Sequence, residues 1–257
     1  MERGTIADRI YDRVKEEARG AVVDEVRIGL GYVGVKLDNG AAGVAAVLRR
    51  ELGGGCSVLA GAGTLAGTGA EKILALLVEG ANPIEKALGL AVANALIGDP
   101  PDACGDDTID LMKLTPHDRV GMVGFFGPLV KKIRGRGIEL AISERDPERG
   151  DVHGDAAADM LRSCTVAIIT ATTILNGTLE ETLGLLGTPR HVTLLGPSTP
   201  MVSDVFDGTP VTHLGGSVVT DVPKVLQVIS EGGGTQGMKP HVRFVSVIRG
   251  RHEKVGS

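Results

Sequence analysis

One stretch of the sequence, residues 118–144, constrains the fold more than any other. An apolar run at 120–123 leads into a glycine-rich turn, and a helix-compatible segment follows at 129–136. A second apolar run, 138–143, ends on Glu144. This order of elements predicts a βαβ unit with parallel strands: a strand, a glycine turn, a helix, a second strand and a terminal acid. The unit places the chain among the α/β folds.

The glycine-rich turn of this unit favours an anion site. Gly124 and Gly127 let backbone N–H groups approach a ligand, and the N–H groups at the start of a helix favour negative charge. Glu144 follows Gly124 by about 20 residues, where the acid of a dinucleotide fold meets a ribose hydroxyl. However, the spacing is G-x-x-G-x-x-G, and Phe125 and Phe126 would crowd the turn. A tight βα connection that binds no dinucleotide is therefore the alternative.

The composition excludes several classes of protein. With 42% hydrophobic and 23% charged residues, the chain is predicted to be soluble and globular. The net charge of -5, two Tyr, four Phe and no Trp argue against a nucleic-acid partner. No apolar run is long enough to span a membrane, and the charged beginning does not resemble a secretory signal. We therefore expect a cytoplasmic protein with no membrane partner.

The sequence contains no established metal-binding motif. Cys56, Cys104 and Cys164 are odd in number, scattered, and without a C-x-x-C pair, which predicts reduced thiols in a cytosolic protein. Asp106 and Asp107 lie in a polar, proline-rich segment without the pattern of a calcium-binding loop. We interpret that segment as a solvated linker.

The part of the chain before this linker predicts an α+β domain. Residues 5–19 carry apolar side chains every fourth position, which is typical of an amphipathic helix. The pair Asn39-Gly40 between apolar runs predicts an antiparallel hairpin between about 22 and 48, with a first strand that extends to Leu37. Further helices are predicted at 70–79 and, almost wholly apolar, at 84–96.

The part after the linker predicts a mostly parallel sheet. Beyond the βαβ unit, strands are predicted at 166–170, 191–195, 213–219 and 242–248, and helices at 155–162, 179–186, 201–206 and 221–230. This alternation predicts a Rossmann-like sheet with helices on both faces and the last strand at an edge. The predicted fold class is therefore α/β with two domains, residues 1–105 and 106–257.

Polar residues follow several of the predicted strands. Ligands of an open parallel sheet bind beyond the carboxyl ends of its strands, and hydroxyl and amide groups suit carboxylate, phosphate or ribose. The predicted ligand-binding residues are Asn94, Gly124, Phe126, Gly127, Glu144, Thr172, Thr173, Asn176, Thr178, Gly196, Ser198, Thr199 and Asp221. Several have an alternative: Ser198 and Thr199 as helix caps, Asn176 as part of a turn, and Asn94 as a partner of a neighbouring backbone. Glu144 could equally bind a metal or be a solvated acid at a strand end.

The sequence does not indicate a familiar hydrolase. No G-x-S-x-G motif surrounds Ser198, so a serine hydrolase is unsupported. His153, in the loop after the Glu144 strand, is the best histidine candidate for a site. His191 and His213 begin strands and are interpreted as structural.

Several segments in combination resemble a known family. They are residues 89–95, 172–180, 196–200, 215–221 and the glycines at 232–234. They are similar to the bacterial and archaeal heavy-metal chelation proteins that were catalogued as domain of unknown function 364, over nearly the whole chain. The resemblance implies a leading domain like the N-terminal domain of enolase, a Rossmann-like second domain, and a site in the cleft between them.

The resemblance also implies a function, namely heavy-metal chelation or the handling of a metal-bearing cofactor, with a link to anaerobic corrinoid metabolism. The cleft residues that it implies are Asn94, Glu144, Thr172, Asn176, Ser198, Thr199 and Asp221. This set is rich in oxygen and lacks thiolate, whereas soft metals prefer sulfur. We therefore expect a small polar or anionic ligand, itself a chelator or a metal complex.

Two further expectations stay open at this stage. An enzyme of the transferase or lyase type, with a nucleotide-like cofactor in the second domain, is the alternative to a binding protein. A homo-oligomer is compatible with either function. The sequence names neither the ligand, nor a metal, nor a reaction.

Overall fold

The computed structural model describes residues 4–53, 58–146 and 148–249. Cys56, one of the three cysteines considered above, lies outside these residues. The strands are β1 (Val23–Ile28), β2 (Tyr32–Leu37), β3 (Ala42–Ala46), β4 (Arg119–Val123), β5 (Glu139–Ser143), β6 (Val166–Thr170), β7 (His191–Leu195), β8 (His213–Val219) and β9 (Val242–Ile248). They form two sheets, one antiparallel with the order β1-β2-β3 and one with the order β5-β4-β6-β7-β8-β9.

Helices connect and cover these strands. They are α1 (Ile6–Ala18), α2 (Ala70–Glu79), α3 (Pro83–Ile97), α4 (Thr108–Leu111), α5 (Gly127–Gly135), α6 (Asp155–Ser163), α7 (Thr172–Leu175), α8 (Leu179–Gly184), α9 (Val222–Ser230) and α10 (Thr235–Met238). Short 3₁₀ helices lie at Arg49–Glu51, Asp204–Phe206 and Lys239–His241. The helix predicted at 201–206 is therefore wrong in its first half. Across the described residues, no helix has the length and apolarity that crossing a bilayer requires.

The antiparallel sheet has one strand more than the predicted hairpin. The Asn39-Gly40 turn joins β2 to β3 as predicted, with Gly40 at a positive φ of 85°. The predicted first strand is divided into β1 and β2 by a turn that begins at Gly29. A Cβ atom at Gly29 would lie 2.0 Å from the carbonyl oxygen of Ile229, so the chain turns where it meets the backbone of α9.

The helix α3 holds the N-terminal half together. Asn82 caps it by accepting N–H groups of its first turn, and the side chains of Leu88 and Leu90 are fully buried. Its backbone packs directly on β3, because a Cβ atom at Gly43 would lie 2.2 Å from the carbonyl oxygen of Ala91. This close approach explains why small residues predominate at this contact.

The six-stranded sheet confirms the predicted mostly parallel arrangement. Strands β4 to β8 are parallel, and β9 pairs antiparallel with β8 at the edge. Val130 and Ile133 of α5 pack on one face of β4, while Gly121 faces Cys164 after α6 on the other. If the six strands are numbered 1 to 6 along the chain, their order across the sheet is 2-1-3-4-5-6. This is the flavodoxin-type order, and it differs from the 3-2-1-4-5-6 order of the dinucleotide fold. The order places the topological switch point between β4 and β6.

The segment between the two sheets is only in part the solvated linker that was predicted, because most of residues 99–107 are exposed while the later part is docked on the second sheet. Cys104 forms a β-bridge with Ser246 of β9, and Asp107 caps α4. One hydrophobic core runs through both halves, from Ile6 in α1 to Val247 in β9. The two halves are therefore packed against each other over a continuous apolar interface.

Candidate functional site

The two halves enclose a cleft of about 1060 Å³ at the carboxyl edge of the six-stranded sheet. The ends of β4, β5, β6 and β7 form its base. The antiparallel sheet, α10 and β9 contribute its walls. The switch point between β4 and β6 therefore opens into the cleft, which is the expected position of a ligand in such a sheet.

The turn after β4 is shaped by Gly124. It has a positive φ of 91°, and a Cβ atom there would lie 2.8 Å from Cγ2 of Thr170 on β6. Phe126 precedes α5 without a side-chain cap, so the N–H groups of the first turn have no side-chain acceptor. Pro128 has no N–H, and the two residues of that turn that do carry one without a side-chain acceptor, Gly127 and Leu129, belong to the cleft lining.

The end of β6 supplies hydroxyl and amide groups. The hydroxyls of Thr170 and Thr172 lie 3.0 Å apart, and Thr173 donates to the Thr170 carbonyl at 2.7 Å. Asn176 Oδ1 accepts the N–H and the hydroxyl of Thr178 at 3.2 and 2.7 Å. Asn176 therefore forms the predicted turn, while its NH₂ group has no protein acceptor within the described part of the chain.

Ser198 joins the two halves at the edge of the cleft. It is 2% exposed, and its Oγ accepts the N–H of Ala46 at 2.8 Å. Its carbonyl accepts Asn94 Nδ2 at 3.2 Å, and the same nitrogen donates to Val44 at 2.9 Å. Asn94 thus lies behind the cleft wall and does not line it. Its buried Oδ1 has no partner in the described residues.

Charged groups are concentrated near the end of β5. Glu144 Oε1 accepts the N–H of Arg145 at 2.7 Å, and no cationic partner of Glu144 occurs among the described residues. The Arg145 side chain pairs with Glu51 of the N-terminal half, and Arg50 pairs with Asp146 at 2.8 Å. These ion pairs connect the halves across the end of the cleft.

Most of the predicted site residues line the cleft. They are Gly124, Phe126, Gly127, Glu144, Thr172, Thr173, Asn176, Thr178, Gly196 and Ser198, together with His153. Thr199 does not, because its buried hydroxyl donates to the Gly215 carbonyl at 2.9 Å. Asp221 does not either, because it caps α9 by accepting the N–H of Lys224 at 3.2 Å.

The structure adds cleft residues that the sequence did not indicate. They are Tyr32, Phe125, Arg145, Lys239 and Phe244, among others. The Tyr32 hydroxyl is 2.7 Å from Thr235 Oγ1, and burial raises the pKa of Tyr32. Tyr and Phe are rare in this chain, and that rarity is the sequence signal that distinguishes Tyr32, Phe125 and Phe244.

The two histidines at strand starts lie away from the cleft. His191 and His213 begin β7 and β8 at the amino ends of these strands, and their rings meet edge to face at 4.8 Å. Burial lowers the pKa of His191, which favours the neutral form. Their packing agrees with a structural role.

The described side chains do not fit a bare metal ion. They contain no group of three or more His, Cys, Asp or Glu residues arranged to hold one. Cys104 and Cys164 are outside the cleft lining, and burial raises the pKa of Cys164, which disfavours the thiolate. The described polar side chains that line the cleft carry carboxylates, hydroxyls, amides, the His153 imidazole and the cations of Arg145 and Lys239, and none of them is a thiol.

Fold and cleft together define a two-part α/β protein with an antiparallel half closing over the carboxyl edge of a mostly parallel sheet. Family models agree with this organisation. The DUF364 model, described as "Putative heavy-metal chelation", matches residues 107–248, and the DUF4213 model, with the same description, matches residues 11–97. The chain belongs to the DUF364 family.

Individual relatives are distant. An uncharacterized protein of Methanocaldococcus jannaschii is 28% identical over 151 residues, which are 56% of this chain and 58% of that protein. A DUF364 protein of unknown function from Pyrococcus horikoshii has a similar crystal structure, with a TM-score of 0.81, 23% identity, and coverage of 95% of this chain and 100% of that chain. Another, from Desulfitobacterium hafniense DCB-2, has a TM-score of 0.79, 22% identity, and coverage of 95% and 98%. These structures show the shared fold.

Proposed function

We propose that the protein binds a small polar or anionic molecule, or a metal complex of one, in the cleft between its two halves. The observation that carries the proposal is the cleft of about 1060 Å³ at the switch point, lined by the uncapped start of α5, by hydroxyls and by several acidic side chains. Pockets for small molecules typically have volumes of about 300–1,000 Å³ and occur at such switch points. The cleft has room for a ligand of considerable size.

The donor set determines how a metal would be held. Soft heavy metals prefer thiolate and thioether ligands, whereas the described lining of this cleft offers oxygen ligands and the His153 imidazole and contains no Cys or Met. We infer that a metal enters the cleft already bound by the atoms of a chelator, and that the protein contacts the periphery of the complex. A corrinoid is one candidate, in line with the role that the family resemblance implies.

Replacement of Glu144 by Ala is expected to abolish ligand-induced thermal stabilisation. Glu144 is an acceptor without a cationic partner among the described residues, so it is available to donors on a ligand or to the charge of a metal complex. A ligand at about 100 times its Kd adds about 2.7 kcal/mol to the free energy of unfolding, which raises Tm by roughly 5–10 °C. Differential scanning fluorimetry with hydroxocobalamin, nickel nitrilotriacetate and free Ni²⁺ measures the shift.

Glu139→Ala is the matched control, because Glu139 is an exposed acid at the opposite end of the same strand. This variant is expected to keep the full shift. The proposal is wrong if no complex raises Tm and elemental analysis finds no metal after anaerobic purification.

The βαβ unit supports a second candidate, an enzyme of the transferase or lyase type with a nucleotide-like cofactor. The specific observation is that Glu144 follows β5 directly and lines the same cleft as the uncapped start of α5. This candidate predicts that NAD, S-adenosylmethionine or ATP raises Tm and that Glu144→Ala removes the effect. It loses its support if all three fail at millimolar concentration.

A further inference from the structure

The aromatic side chains of this protein are concentrated in the cleft. The chain has four Phe, two Tyr and no Trp. Those that line the cleft are Tyr32, Phe125, Phe126 and Phe244. Of the other two, Phe206 is fully buried in the core, and Tyr11 lies on α1. Four of the six Phe and Tyr residues of the chain therefore line one cavity.

Two of these rings are exposed, although large apolar side chains are normally buried. Phe125 is 37% exposed and Phe244 is 41% exposed. They come from different elements, the turn after β4 and the edge strand β9, so no single local packing requirement explains both. Exposed apolar groups that line one concave surface are typical of a binding site.

The other two rings are held in place by the protein. The ring of Phe126 packs beside the turn at Gly196, with its Cε1 3.9 Å from where a Cβ atom of that glycine would be. The Tyr32 ring is fixed through its hydroxyl, which hydrogen bonds with Thr235 at 2.7 Å. These rings therefore present defined apolar surfaces to the cleft.

The Phe125 ring already has one cationic partner. The guanidinium of Arg149, which lies outside the cleft lining, is 5.7 Å from the ring centroid, within the range of a cation–π contact. Planar conjugated groups pack on aromatic side chains in offset or edge-to-face geometry.

We propose that the ligand of this cleft carries a planar conjugated ring that packs against Phe125 and Phe244, while its polar substituents meet the groups at the switch point. The inference rests on the proposed binding function and adds the chemical class of the ligand. Two sources share this chemistry, the base of a nucleotide and a metal-bearing macrocycle with conjugated double bonds. Both combine a flat apolar face with polar or charged substituents.

Titration calorimetry with paired probes tests the inference. Adenosine monophosphate is compared with ribose 5-phosphate, and hydroxocobalamin with a cobalt–EDTA complex that has no ring. In at least one pair, the ring compound is expected to bind about tenfold more tightly or better. Binding of adenosine monophosphate identifies a nucleobase site, and binding of hydroxocobalamin identifies a macrocycle site.

Variants of the exposed rings locate the effect. Phe125→Ala and Phe244→Ala are each expected to weaken binding of the ring compound about tenfold. Leu30→Ala is the control, because Leu30 is 62% exposed and lies outside the cleft lining. Unchanged Tm values verify that the variants are folded.

The outcomes separate this inference from the proposed function. If ringless probes bind as tightly as their ring counterparts, or if both Phe variants bind like the unmodified protein, the inference is overturned while the binding function stands. If no probe binds, the inference fails, and the proposed function fails with it when also no complex raises Tm and the purified protein contains no metal.

Discussion

Arg190→Leu is expected to lower the free energy of unfolding by about 3 kcal/mol, because it leaves a buried carboxylate without its cation. Asp118 is 5% exposed and lies immediately before β4. The Arg190 guanidinium binds both of its oxygens, at 3.0 and 2.7 Å. Thr165 and Thr115 complete the hydrogen bonding of the carboxylate. We expect the lower end of the usual range for a broken buried pair, since the Arg190 side chain is 39% exposed.

The pH dependence of this effect has a definite sign. The Arg190 guanidinium holds the pKa of Asp118 well below its ordinary value of 3.8. A carboxyl with a lowered pKa contributes stability above its unfolded pKa and loses it as the pH falls through the folded value. In Arg190→Leu the pKa of Asp118 rises, so Asp118 is protonated at a higher pH in the variant than in the unmodified protein. Protonation removes the cost of burying an unpaired carboxylate. The difference in the free energy of unfolding between the unmodified protein and Arg190→Leu is therefore expected to have its full value above about pH 5 and to shrink below about pH 4.

Urea denaturation of both proteins at about pH 7 and pH 3.5 measures this difference. Arg162→Leu is the matched control, because Arg162 pairs with Asp159 at 2.9 Å while both side chains are more than half exposed. It is expected to change stability by less than about 1 kcal/mol. Equal losses in the two variants would contradict the role assigned to burial of Asp118.

The local structure was predictable because its causes lie close together in the sequence. Three features depend only on residues that are near one another in the sequence: the cap at Asn82, the turn at Asn39-Gly40 and the βαβ unit. The division of the first strand was not predictable. It depends on the approach of α9 to Gly29, a contact between residues that are about 200 positions apart.

The base of the cleft was predictable for a similar reason, and its walls were not. The carboxyl ends of parallel strands meet at one edge, which is why residues after β4, β5, β6 and β7 lie together. β8 departs from this rule. It pairs with β7 only from His213 to Gly215 and then continues to Val219, which carries Asp221 away from the cleft.

The positions of Tyr32 and Phe244 in the cleft depend on tertiary structure. Tyr32 belongs to the antiparallel half, and Phe244 lies on an antiparallel edge strand. Neither position follows from the rule that gathers strand ends. Asn94 and Thr199 were predicted to face a ligand, but the packing of the two halves directs their polar groups to backbone carbonyls instead. That Glu144 binds a ligand stays a prediction.

Gly43→Ala is expected to destabilise the protein by about 3 kcal/mol, at the upper end of what an added methyl group costs in a packed core. The new Cβ atom would lie 2.2 Å from the Ala91 carbonyl oxygen and 2.4 Å from the Ala95 nitrogen. Both are backbone atoms of α3, so no side-chain rotation relieves the contact and the helix must move away from β3.

The displacement is also expected to weaken ligand binding. Asn94 lies on the same turn of α3, and its Nδ2 holds the Ser198 carbonyl at 3.2 Å. Moving the helix lengthens that bond and loosens the cleft wall, so Kd should rise together with the loss of stability. Urea denaturation and calorimetry on the same variant measure the two effects. Gly20→Ala is the control, because nothing lies within 4 Å of the added atom. If Gly43→Ala behaves like Gly20→Ala in both measurements, the close packing of α3 on β3 neither stabilises the N-terminal half nor positions Asn94 against Ser198.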